Sequence, residues 1–192
     1  MKRLLIILIL TFTFQSLTKA DDIRDFQVEG MSIGDSLLDH FNEKEILEHD
    51  GNYYSKKKFV TAVFNNHPKL KQYDWLQISY KRNDSKYVIY SLDGVIEFKK
   101  NYKGCLKKKD IIINSLTTFF DKKNSRIENG KHRADKSGKS IFENFVFELD
   151  NDNEIVISCL DWSQELEKKY FDHLKVVANH TEFKEFIWSN PF

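Results

Sequence analysis

The tightest constraint on the fold is a pair of patterned segments that must lie side by side. Residues 73–81 alternate, with Leu76, Ile78 and Tyr80 on one face and Tyr73, Trp75, Gln77 and Ser79 on the other. A period of two marks a strand that buries one face. Arg82 to Ser85 forms a polar turn, and residues 87–98 return as a long second strand, in which Gly94 predicts a bulge or bend. Strands this close in sequence pair as an antiparallel hairpin, because a parallel pair needs a longer crossover.

A second hairpin joins residues 141–149 to 154–162 through Asp150-Asn151-Asp152-Asn153, all turn formers. Residues 59–64 and 173–178 read as further strands. Ser32 with Asp35 has the spacing of an N-cap with an acidic N3, and Ile33, Leu37, Leu38 and Phe41 share a helical face. Asn42 with Glu45 repeats the device ahead of Ile46 and Leu47. A longer helix is expected over 103–121, its stripe formed by Cys105, Ile112, Leu116 and Phe119, with Lys107, Lys108 and Lys109 largely off it. Residues 181–188 close the chain as a helix. The order is helices, three strands, helix, three strands, helix. It predicts an α+β fold, an antiparallel sheet built from hairpins with helices packed on one face and two loosely repeated halves. Residues 122–139 are polar, basic and aperiodic, which predicts a mobile loop and the contact region for an anionic partner.

The first twenty residues predict export. Lys2 and Arg3 precede an apolar run from Leu4 to Phe14, and Thr18 and Ala20 supply small side chains before a cut between Ala20 and Asp21. Residues 1–20 thus read as a signal peptide and 21–192 as one domain, periplasmic or secreted. The apolar run falls short of a comfortable bilayer span, so no stable membrane span is expected after cleavage. Removing Lys2, Arg3 and Lys19 takes the formal charge from +1 to about −2, which argues against nucleic acid as a partner. In an oxidising compartment the lone pair Cys105 and Cys159 is expected to be bonded. Cys105 lies on the helix stripe, and Cys159 alternates with Ile155 and Ile157 on an apolar strand face.

Gly34-Asp35-Ser36-Leu37 resembles the first block of the GDSL-type esterases, and that resemblance implies Ser36 as a nucleophile. The family's later blocks, a Gly and an Asn for the oxyanion hole and an Asp three residues before a His, are not found in this sequence. A serine lacking base and oxyanion donors is only an alcohol. Gly30-Met31-Ser32-Ile33-Gly34 fits a nucleophile elbow by letter but follows no substantial strand. Ser137-Gly138-Lys139-Ser140 matches the end of a phosphate-binding loop whose first Gly would fall at Arg133. Asp150, Asp152, Glu154 and Asp161 have calcium-loop spacing, with Ile155 where a Gly is needed. No catalytic residue, metal or cofactor is assigned.

Gly30-Met31-Ser32 leading into two short helices and three antiparallel strands also resembles the helix–helix–sheet modules of outer-membrane assembly lipoproteins and β-lactamase-inhibitor domains. The chain, rich in Lys, Asn, Ile and Phe, is similar as a whole to a family of small exported proteins from AT-rich bacteria, from which no function transfers. The expectation is a non-catalytic binding protein of the cell envelope. It would take a protein, peptide or glycan partner through its sheet or its basic loop; Tyr73 and Trp75 offer a stacking platform for sugar or peptide only if no loop or helix covers them, which is the commoner fate of such aromatics. The alternative is a GDSL-like hydrolase using Ser36.

Overall fold

The computed structural model describes residues 22–51, 53–54 and 58–189. The expected signal peptide and its cut at Ala20 lie outside the described residues. The described chain forms one eight-stranded antiparallel sheet: β1 (Asp50–Gly51), β2 (Phe59–Asn65), β3 (Trp75–Lys81), β4 (Ile89–Glu97), β5 (Ser125–Lys131), β6 (Ile141–Glu148), β7 (Glu154–Asp161) and β8 (His173–Asn179). Its order is β1-β2-β3-β4-β8-β7-β6-β5, so two four-stranded meanders meet through their last strands. Three α-helices accompany it: α1 (Glu43–Glu48), α2 (Tyr102–Leu116) and α3 (Thr181–Ser189).

One face of the sheet carries the main core. Val60, Ala62, Phe64, Leu76, Ile78, Leu92, Phe147, Ile155, Ile157, Leu174 and Val176 project from it. The N-terminal segment covers them with Ile23, Phe26, Val28, Met31, Leu37 and Ile46, and α2 covers the β7–β8 side. The opposite face carries a smaller aromatic cluster in which Phe183 and Phe186 of α3 pack on Phe59, with Tyr54 and Tyr90 beside them. Helices therefore pack on both faces, not on one. β8 ends at Asn179, and α3 starts at Thr181 and lays Phe183 and Phe186 on Phe59 of the second face.

Four other expectations are corrected. Residues 32–41 form no α-helix, because Gly34 turns left-handed (φ +93°) and residues 34–37 hydrogen-bond the start of β4: Gly34 N–H to Ile89 O, Ile89 N–H to Asp35 O, and Leu37 N–H to Tyr87 O. Only a 3-10 turn, Leu37–Asp39, remains. The Asn42–Glu45 box, by contrast, caps α1 reciprocally at 2.9 Å in both directions. Residues 122–139 are not an aperiodic loop, since 125–131 form β5 in register with all of 141–147. That strand exists by pairing, with one apolar side chain of its own. On α2 the buried stripe runs through Cys105, Lys109 and Ile113, and Phe119 beyond it is 61% exposed while Phe120 is buried. Last, the bulge falls at Tyr90, between the Tyr80–Ile89 and Ser79–Ser91 pairs, and not at Gly94.

Gly94 has another use. A Cβ there would lie 2.5 Å from a ring carbon of Tyr73, so the glycine is the slot into which that ring fits. Tyr73 does not share Trp75's face, because the strand has not yet begun: the backbone N–H groups of Lys71, Gln72 and Tyr73 all bond the Glu29 carboxylate (2.9, 2.6 and 3.1 Å). Tyr73 packs against the main core, so no Tyr73–Trp75 stacking platform is formed.

Candidate binding face and pocket

The face opposite the main core is the one that α3 only partly covers, and its exposed part is polar. Lys175 on β8 donates to Gln77 Oε1 of β3 (2.6 Å) and Asp93 Oδ2 of β4 (3.0 Å). Ser91 donates to Asn179 Oδ1 (2.8 Å), whose amide donates to Glu154 of β7 (3.2 Å). Arg126 of β5 reaches Glu154 (3.3 Å), Glu128 (2.7 Å) and Glu148. A polar network thus crosses the sheet, each charge met by an opposite one, as partly buried charges require.

His173 sits within this face. Its Nδ1–H donates to the Phe171 carbonyl (2.7 Å), and burial, with Lys175 nearby, pushes its pKa down to about 4. Burial likewise lowers the pKa of His132. Trp75 lies on the same face, its indole N–H bonded to Glu97 (2.8 Å).

At the rim beyond His173, the β5–β6 connection folds into a closed loop. Asp135 accepts from the backbone N–H and hydroxyl of Ser137 (2.9 and 2.7 Å) and of Ser140 (2.8 and 2.6 Å), so its carboxyl titrates well below the usual range. The donors that a phosphate-loop reading would offer to a ligand are thus held by the chain's own carboxylate. Ser140 Oγ accepts the Ser163 N–H (2.9 Å), and Asp172 the Trp162 N–H (2.8 Å), tying the loop to the end of β7. Trp162 stacks on Tyr170 (4.7 Å) with the His132 ring at its edge (4.6 Å). Arg133 reaches across to the Trp188 ring of α3 (5.4 Å).

A pocket of about 790 Å³ opens there, lined by Ser137, Lys139, Trp162, Ser163, Gln164, Glu165 and Lys168. That volume is in the range of small-molecule and peptide side-chain sites. The Trp162 indole nitrogen and the Ser163 hydroxyl have no hydrogen-bond partner among the described residues.

The other sequence candidates are placed apart from this rim. Ser36 caps the 3-10 turn: its hydroxyl accepts the Leu38 N–H (3.3 Å) and donates to the Lys86 carbonyl (2.7 Å). The Ser32 hydroxyl donates to Phe26 O (3.1 Å), and the strand-to-helix elbow of an esterase is not formed at either serine. The calcium-like set is dispersed: Glu154 bonds Arg126 and Asn179, and Asp161 ends the same strand at the opposite rim. No group of three or more metal-ligating side chains occurs among the described residues. Lys109 is 3% exposed and pairs with Glu143, so it lies on the buried stripe of α2 and not off it as expected.

Cys105 and Cys159 meet across the α2–β7 interface, with Cα atoms 5.9 Å apart and the sulfurs joined. Glu143 lies directly opposite Cys159 in the β6–β7 register, and Lys109 is one turn along α2 from Cys105. The bond and the ion pair therefore fix the same helix against neighbouring strands.

Sequence reasoning missed the Asp135 loop. The signal was a carboxylate followed by serines two and five residues on, a self-capping pattern. No family model matches this chain, and neither a curated protein nor a solved structure does.

Proposed function

We propose that the chain is an exported, non-catalytic binding protein of the cell envelope that takes an acidic segment of its partner at the Trp162 pocket. The observation that carries this reading is the pocket itself: Lys139 and Lys168 share its lining with Trp162, beside a loop fixed by an internal carboxylate. A preorganised loop binds without a large ordering penalty. Lys139 belongs to the basic segment expected to contact an anionic partner. Export is supported by the Cys105–Cys159 pair, a feature of oxidising compartments. No helix among the described residues is long and apolar enough to cross a membrane.

The test is calorimetric titration of the protein from Asp21 onward with a glutamate-rich peptide and with a uronic-acid oligosaccharide. Binding of either, reduced at least tenfold by the double change Lys139→Glu and Lys168→Glu, is the expected result. Both lysines are exposed, so the variant should melt within about 0.5 kcal/mol of the parent. Binding untouched by the double change, or no binding of either probe, would refute the pocket as the site.

A further inference from the structure

The two edges of the sheet are unequal. At one, β1 is two residues long; at the other, β5 runs seven residues with no strand beyond it among the described residues. Long edges invite pairing with another chain.

The hydrogen-bond phase of β5 can be read from its neighbours. His132 N–H donates to Ser140 O (2.9 Å), continuing the β5–β6 register, and Leu149 N–H to Asn153 O (2.9 Å), continuing β6–β7. Opposed residues in an antiparallel pair alternate between bonded and unbonded. Arg126, Glu128 and Gly130 therefore bond β6, and the N–H and C=O groups of Ser125, Ile127, Asn129 and Lys131 project outward. Ile127 itself is 68% exposed.

We propose that β5 is a self-association edge, where a second copy of this chain pairs antiparallel about a two-fold axis through Ile127. Outward groups on one copy must oppose outward groups on the other, so only odd-to-odd registers are allowed. The two-fold through Ile127 sets Ile127 against Ile127 and Ser125 against Asn129, positions where each opposed pair exchanges two backbone hydrogen bonds. It also places Arg126 opposite Glu128 of the second copy, twice, at the unbonded positions where side chains come nearest. Moving the axis to Glu128 would set Glu128 against itself and Arg126 against Gly130, which opposes like charges. The charge order of this strand thus selects one register, and the interface is isologous. Within each copy Arg126 Nε already bonds Glu128 (2.7 Å), so both groups are held on the same face of the strand.

Sedimentation velocity at rising concentrations tests this directly. The parent chain should dimerise. Glu128→Arg should be monomeric, as should Arg126→Glu, because each opposes like charges, and mixing the two should restore a heterodimer. Arg126 also bonds Glu148 and Glu154, so circular dichroism must show that its variant folds. Asn129→Pro removes an outward N–H but no β5–β6 bond, and should weaken the dimer with the spectrum unchanged, which decides the matter independently of Arg126. A parent that stays monomeric at every concentration, or a dimer undiminished in both Glu128→Arg and Asn129→Pro, overturns the proposal. So does a parent monomer whose β5 edge instead takes an unrelated extended peptide.

Discussion

The two faces of this sheet are made from the same strands and solve opposite problems. On one, alternate residues of six strands meet the N-terminal segment and α2 in a continuous apolar cluster, and a disulfide ties α2 to β7. On the other, a short helix covers one end with aromatic rings, and much of the remainder is a network of ion pairs and polar hydrogen bonds. The first face is closed by burial and a covalent link. The second is held by polar pairs that stay partly solvated, and the proposed binding site lies at its rim. Stability should therefore depend on redox state through one face and on pH through the other.

The largest effect expected is on the closed face. Cys105 and Cys159 are 54 residues apart in sequence, and in the chain-entropy view closing that loop stabilises the fold by about 4 kcal/mol. Denaturant unfolding with and without reductant, or of Cys159→Ala, should show a loss of this order. A difference below about 1 kcal/mol would mean that the apolar cluster alone fixes α2, and the contrast between the faces would weaken.

The second effect is on the open face. The pKa of His173 is held down to about 4 in the folded chain, against 6.5 when exposed. Between these values the unfolded chain binds a proton that the folded one does not. The contribution is therefore complete above pH 6.5 and is lost as pH falls towards 4, by on the order of 3 kcal/mol. His132 and His180 are lowered in the same direction and steepen the slope. Unfolding free energies across this window should fall with pH, and His173→Gln should flatten the curve. A parent with constant stability from pH 7 to 4 would show that the face is more hydrated than its packing indicates.

Much of the sheet was legible because it is encoded locally. The boundaries of β2, β4, β6, β7, β8 and α3 follow from alternation and turn residues within each segment. What was illegible depends on distant partners. β5 has Ile127 as its only apolar side chain, and its strand conformation comes from pairing with β6. Residues 32–37 carry capping signals, yet bonds to residues 87 and 89 override them. Lys109 sits on the helical stripe of Cys105 and Ile113, so the period was visible; a lysine is accepted there only because Glu143 faces it from another strand. At the candidate site, Trp162 could be placed on a strand end, but the loop that builds the pocket is closed by Asp135 and two serines, and its signal is too short to stand out.

The smallest effect expected concerns the residue that separates Tyr73 from Trp75 and so keeps an aromatic ring on the closed face. Gly94 lies beneath the Tyr73 ring, and a methyl group there would approach three of its atoms within 2.7 Å. Tyr73 cannot simply swing away, because its backbone N–H is one of three bonded to Glu29 and its ring packs against the main core. Gly94→Ala should therefore destabilise by about 2 kcal/mol, the usual penalty for overpacking. Tyr73→Ala removes the ring that the methyl group would strike, so in that background the same change at Gly94 should have little effect. The coupling energy of this double-mutant cycle is the measurement. A coupling near zero would mean that the ring has another resting place, and the open face would then be the first place to look for it, beside Trp75.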